Sequence, residues 1–188
     1  HINRTRPHHI MTLEDPIDAT FARSFVADTN GSVNALASDG VSLYLGGTFT
    51  TVNGVLRSRI AKVDLTTGAV DPTFVADVGA VVNDMVVVGG TLYFGGDFNT
   101  VDGVTRHHVA AVSTADGSLV TAFDPNTDGR VTAIAASPDG AVLYLGGNFH
   151  LVGTTTRDFL AKVNAATGAL LSPTFSRVGD VILDLSVS

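Results

Sequence analysis

The sequence predicts an all-β fold, a β-propeller-like arc of four-stranded blades, and three observations carry that prediction. A twelve-residue stretch, Leu43-Tyr-Leu-Gly-Gly-Thr-Phe-Thr-Thr-Val-Asn-Gly54, returns as Leu92-Tyr-Phe-Gly-Gly-Asp-Phe-Asn-Thr-Val-Asp-Gly103. A third copy reads Leu143-Tyr-Leu-Gly-Gly-Asn-Phe-His-Leu-Val-Gly153. The glycine pairs Gly46/Gly47, Gly95/Gly96 and Gly146/Gly147 are separated by 49 and then 51 residues, a period that marks a repeat architecture. Inside each unit, short apolar or alternating segments are cut by turn residues, and no window keeps a helical period.

The first unit divides into four pieces of strand length. Residues 33–37 alternate, and residues 42–49 are aromatic and β-branched around a glycine pair that signals a bulge or a close backbone approach. Residues 58–64 alternate about Ile60 and Val63, and the short 69–74 piece carries Pro72, as an edge strand tolerates. Asp39-Gly40, Gly89-Gly90 and Asp139-Gly140 supply the left-handed positions a tight hairpin needs between the first two pieces. Thr67-Gly68, Asp116-Gly117 and Thr167-Gly168 do the same between the last two.

Four antiparallel strands in about 50 residues make a propeller blade. The repeat domain therefore runs over 18–188, with units at 25–74, 74–123 and 123–175 and a partial one at 176–188, where Val181-Ile-Leu-Asp-Leu185 matches an opening strand. Rings close with four to eight blades. Three and a fraction leave blade faces and strand edges open, which predicts self-association. Because it opens on His1, the chain is expected to be a piece of a longer gene product.

Composition narrows the function classes. Acids outnumber bases 18 to 11, and the only lysines are Lys62 and Lys162, so the clustered cations that nucleic acid demands are missing. No cysteine is present, which removes disulfides, thiolate metal sites and cysteine nucleophiles. Nor is there an apolar run of membrane-spanning length.

Residues 1–17 stand outside the repeat, with Arg4, Arg6 and three histidines against an acidic remainder. Asn3-Arg-Thr-Arg-Pro-His-His9 followed by Glu14-Asp-Pro-Ile17 resembles a segment of type IV pilus retraction (PilT-like) ATPases, whose acidic pair would fall on Glu14 and Asp15. The match ends at Ile17, and a phosphate-cradling Gly-x-x-x-x-Gly-Lys-Ser/Thr loop occurs nowhere in the chain. This stretch is read as a tail or fusion scar, with an ATPase fragment as the remote alternative. The repeat itself, Leu-Tyr-Leu-Gly-Gly-x-Phe-Thr-x-Val-x-Gly, then Arg-x-x-Ile/Val/Leu-Ala-x-Val and Thr-Gly-x-Val-Asp-Pro-Thr-Phe, resembles the bacterial delta-60 repeat family over about residues 20–188. That resemblance implies a propeller of unknown function on secreted or cell-surface bacterial proteins.

Several positions recur and could carry chemistry. Arg57, Arg106 and Arg157 follow the Gly-Gly strand in each unit. They would either line a ring for carboxylates or sulfated sugars, or pin their own loops through the forked guanidinium, which is the expected role. Asp28, Asp77 and Asn126 sit three residues after Phe25, Phe74 and Phe123, where a side-chain oxygen can cap a turn or face a ligand. Asp124, Asn126 and Asp128 with Gly129 reproduce the first half of a calcium loop, but the twelfth position is Ala135 rather than a bidentate Glu. Calcium is therefore a minor alternative to a cofactor-free chain. His107, His108 and His150, with Asp158, break the repeat but fall on no common site by register, and adjacent strand residues face opposite ways.

The expected function is a non-catalytic propeller module, secreted or at a cell surface, that binds a protein or glycan or serves as structure. The alternative is a glycan-acting hydrolase or lyase with aspartates on the propeller channel. An enzyme should break the internal symmetry at a few inward-facing charges.

Overall fold

The structure is a computed structural model that describes residues 25–172 and 183–187. The retraction-ATPase-like stretch 1–17 lies outside the described residues, as do Val181 and Ile182 of the expected 181–185 opening strand, while its described remainder, 183–185, forms no strand. Fifteen strands and no helix appear among the described residues. Blade 1 contains β1 (Val33–Ser38), β2 (Ser42–Gly47), β3 (Thr51–Val52), β4 (Val55–Leu56) and β5 (Ile60–Asp64). Blade 2 repeats the order as β6 (Val82–Val88), β7 (Thr91–Gly96), β8 (Thr100–Val101), β9 (Val104–Thr105) and β10 (Val109–Ser113). Blade 3 follows with β11 (Val131–Ala136), β12 (Val142–Gly147), β13 (Leu151–Val152), β14 (Thr155–Thr156) and β15 (Leu160–Asn164).

Each blade is a three-stranded antiparallel sheet, β1-β2-β5, β6-β7-β10 or β11-β12-β15, with a two-residue hairpin between its second and third long strands. The fourth strand expected over 69–74 is reduced to one bridge, Val63 to Val70, and likewise Val112 to Leu119 and Val163 to Leu170. Proline explains the shortening in the first unit, since Pro72 offers no N–H to extend a ladder. The third strand also starts later than expected. Arg59, His108 and Phe159 have φ of 69°, 64° and 65°, so regular pairing begins only at the next residue.

The glycine pair does both things its sequence suggested. Val33 pairs with Gly47 and Ala35 with Gly46, which leaves Asn34 as a bulge; Asn83 and Thr132 are bulged in the same way. A β-carbon on Gly47 would run into the Ser32 carbonyl, and one on Gly96 into that of Val81. Gly46 faces the next blade, where a β-carbon would strike Met85 and Val82. Gly95 meets Val131 of blade 3 in the same manner.

The core consequently sits between blades. Tyr44, Ile60 and Phe74 of blade 1 pack with Val82, Met85, Leu92, Phe94 and Phe98 of blade 2. Tyr93, Val109 and Phe123 of blade 2 pack with Val131, Ile134, Leu143 and Leu145 of blade 3. The opening strands β1, β6 and β11 lie side by side, and their bulged asparagines staple the series: Asn34 Nδ2 donates to Val82 O and Asn83 Nδ2 to Val131 O, each at 3.2 Å. Further out, Lys62 Nζ donates to Thr114 O at 2.9 Å and the Tyr93 hydroxyl to Ala165 O at 2.8 Å, again from one blade to the next.

Candidate functional site

The recurring cations end on backbone carbonyls. Arg57 donates through Nη1 to Leu56 O at 2.6 Å and through Nη2 to Asp71 O at 2.8 Å. Arg106 repeats this with Thr105 O at 2.8 Å and Thr121 O at 3.0 Å. Both are buried, and each clamps the hairpin to the single-bridge edge of its own blade. Arg157 keeps the first bond, to Thr156 O at 2.6 Å, and is only half-buried. Geometry of this kind holds a loop, the role expected of these arginines.

The acidic register works mainly through its backbone. Asn53 N donates to Asp28 O at 2.7 Å and Asp102 N to Asp77 O at 2.8 Å, while Gly153 N donates to Asn126 O at 2.8 Å. The returning side-chain bond comes from the hairpin: Asn53 Oδ1 accepts from Asp28 N, and Asp102 Oδ1 from Asp77 N, both at 2.8 Å. Asp28, Asp77 and Asn126 are exposed. Asp28 borders a shallow cleft of about 260 Å³ with Thr29, Asn30, Thr51 and Gly54.

The half calcium loop is divided among other partners. Asp128 Oδ1 accepts from His150 N and Leu151 N at 2.7 Å each. Burial alone would raise the Asp128 carboxyl, but those two backbone donors hold it below the usual range. Asp124 turns to Arg106, 3.7 Å away, and Asn126 has a φ of 56°. Among the described residues no group of three His, Asp or Glu side chains gathers as a metal site.

The histidines need one correction. His150 and Asp158 do meet, with Nδ1 to Oδ1 at 2.9 Å, because positions eight residues apart bracket the hairpin. The equivalent pair in blade 2 is His107 Nδ1 with Asn99 Oδ1 at 3.0 Å. His108 does not alternate away as a strand residue would, since its backbone is left-handed. Its ring lies 6.3 Å from that of His107, and burial, then the neighbouring His107, depress its pKa.

One inward charge escaped the sequence reading. Asp84 lies on β6 directly after the bulge, where the other two blades carry Ala35 and Ala133. Its Oδ2 accepts from Ile134 N of blade 3 at 2.9 Å, and its Oδ1 from Met85 N at 2.9 Å. Burial raises its pKa, the two N–H donors oppose that, and Asp184 adds to the rise. Asp184 occupies the same register in the next unit and makes the same bond, to Leu185 N at 2.8 Å. Aligning the units residue by residue as Ala35, Asp84, Ala133 and Asp184 would have shown this alternation.

Three antiparallel blades joined face to face along their Gly-Gly strands define an all-β, β-propeller-like protein. A family model described as a domain of unknown function (DUF5122) beta-propeller matches residues 38–74. Among solved structures, the computationally designed Ika4 protein is similar, with a TM-score of 0.59 at 14% identity over 87% of this chain and 84% of that one. A hydrazine synthase from Kuenenia stuttgartiensis aligns at a TM-score of 0.46 and 15% identity, over 78% of this chain and 49% of that one. No curated protein matches by sequence. The likeness to Ika4 speaks to fold alone. Among the described residues no helix is long and apolar enough to cross a membrane.

Proposed function

We propose that the chain is a non-catalytic propeller module of the delta-60 repeat type, secreted or displayed on a bacterial cell surface, that binds a protein or glycan or serves as structure. The observation that carries this reading is the fate of the repeated polar residues. Arg57 and Arg106 are engaged by backbone carbonyls, and Asp64 and its counterpart Asn164 cap the turns after their third strands, accepting from Thr67 N and Thr167 N. Residues that recur in every unit hold the blade, so a partner would be met by what varies on the exposed rims.

A second reading, a glycan-acting hydrolase or lyase, is favoured by Asp84, whose half-buried carboxyl stands on an opening strand where the neighbouring blades carry alanine. One experiment separates the two. The full chain is titrated against a panel of soluble glycans while released reducing ends and unsaturated products are assayed. The module reading expects saturable binding to at least one glycan, or none at all, without turnover. Turnover that Asp84→Asn abolishes, in a variant that still folds, would establish the enzyme instead. Calcium is read as unnecessary, because Asp128 is engaged by two backbone donors. A chelator is then expected to leave the melting temperature unchanged.

A further inference from the structure

One residue in each blade takes a left-handed backbone directly before the third long strand, and its three occupants differ in charge. They are Arg59, His108 and Phe159. The Arg59 charge is permanent, and it reaches carbonyls: Nη1 donates to Thr48 O at 3.2 Å and to Phe49 O at 3.4 Å. Phe159 is uncharged and sets its ring edge-on to that of His150, with centroids 5.2 Å apart. Of the three, only His108 can change its charge near neutral pH.

His108 stands where blade 2 meets blade 3. The buried Thr127 hydroxyl of blade 3 lies 3.4 Å from the carbonyl oxygen of His107. His107 is held in turn by Asn99, with Nδ1 and Oδ1 3.0 Å apart. The two imidazoles lie 6.3 Å from each other, centroid to centroid. His108 Nδ1 is shielded from solvent and has no hydrogen-bond partner among the described residues. An imidazolium must donate from both nitrogens. Protonation of His108 would therefore bury an N–H that meets no acceptor, on a charge placed beside a second imidazole.

Charged groups on both sides of the seam bear on this ring. Burial is the largest influence and His107 the next, and both depress its pKa below the ordinary 6.5. The Gly96 backbone, Asp97 of the same blade and Asp128 of blade 3 oppose them without prevailing.

We infer that His108 is an acid-sensitive latch on the seam between blades 2 and 3. The neutral imidazole closes its end of that seam, and protonation in a mildly acidic medium loosens it, while the Arg59 seam between blades 1 and 2 holds. The contribution of His108 is present above pH 6.5 and is lost as pH falls through the depressed value. The consequence is local: blade 3 gains freedom to move on blade 2 while each blade keeps its own ladders. Asp84 also bridges this seam, through Ile134 N at 2.9 Å. Its own titration persists when His108 is replaced, so the latch shows as a difference at one residue.

The test follows two amide protons of the full chain by hydrogen exchange, corrected for intrinsic rates. Ile134 N–H donates across the blade 2–3 seam to Asp84, and Val78 N–H donates across the blade 1–2 seam to Ser58 O at 3.3 Å. The first variant is His108→Phe, which repeats the choice blade 3 makes at Phe159. Between about pH 7.5 and about pH 5.5, Ile134 N–H should quicken about threefold more in wild type than in this variant. Val78 N–H should show no such difference. His108→Arg, whose longer side chain can reach carbonyls as Arg59 does, should be as indifferent to pH as His108→Phe. Equal pH responses in wild type and both variants would overturn the proposal, as would a Val78 N–H that quickens along with Ile134 N–H.

Discussion

The seam between blades and the hairpin rim at their edge recur equally often, yet they hold their sequences to different standards. At the seam, Gly46/Gly47 and Gly95/Gly96 recur without change, because a single added carbon meets the carbonyl of Ser32 or Val81 or the side chains of Val82 and Val131. At the rim, the same task is done by different residues. The hairpin turn uses Asn53-Gly54 with φ of 49° and 76°, then Asp102-Gly103, then Gly153 with φ of 58°. One backbone bond ties the rim to the preceding segment in every blade, from Asn30 N, Gly79 N or Asp128 N, while the side-chain ties come from Asn30 in blade 1 and Asp128 in blade 3, and Gly79 has no side chain to make one. Steric exclusion admits one residue, whereas a hydrogen bond accepts any group that reaches.

That contrast yields graded predictions. Gly95→Val attacks the seam and should cost about 3 kcal/mol, the upper range for overpacking. In a chain of this size the melting temperature should fall by on the order of 10 °C, and a calorimetric loss under 3 °C would show the seam to be pliable. At the rim, Asn53→Ala loses the bonds to Asp28 N, Val26 O and Gly68 O and strains a left-handed position. The expected loss is about 2 kcal/mol. Asn53→Gly should recover roughly half of it, because glycine removes the strain but restores no bond. Equal losses in urea titrations of the two variants would mean that strain contributes nothing.

A smaller effect separates two aspartates by the sign of their pH dependence. Burial alone would push Asp71 up, but the Thr73 hydroxyl and N–H and the Lys62 ammonium hold it down at about 2, against an ordinary 3.8. Its contribution is therefore present above pH 3.8 and is lost as pH falls toward 2. Asp84 has the opposite shift, so its contribution is complete below pH 3.8 and is lost as pH rises through its raised value. Asp71→Ala should accordingly cost more stability at pH 6 than at pH 3, and Asp84→Ala more at pH 3 than at pH 6. Parallel profiles for the two variants in denaturant titrations would break the assignment.

The architecture was legible because steric demands write themselves into sequence. The Gly-Gly pairs signalled a bulge or a close approach, and the structure has the close approach at the glycines and the bulge opposite them, at Asn34. What stayed hidden was set by hydrogen bonds and torsion angles that many residues can satisfy. The left-handed position after each recurring arginine is filled by Arg59, His108 and Phe159, three side chains with nothing in common, so the late start of the third strand has no sequence mark. The arginines recurred visibly, but only coordinates show that they reach Asp71 O and Thr121 O. Asp84 was missed for a different reason. Its partner, Ile134 N, lies 50 residues away in the next blade, and the neighbouring identities hide a lone acid among many aspartates.

The seam also sets how the molecule would answer a pulling force. Within a blade, long strands are joined by continuous ladders, whereas adjacent blades share side-chain packing and a few single bonds such as Asn34 to Val82 O and Lys62 to Thr114 O. The joint between blades is therefore the weaker link, and tension applied at the chain ends would peel off whole blades before unravelling any one of them. Each yield event would release the 49 or 51 residues of one repeat, roughly 17 nm of extended chain. Chain release would thus be metered in near-equal steps, and the glycines would mark where each step begins.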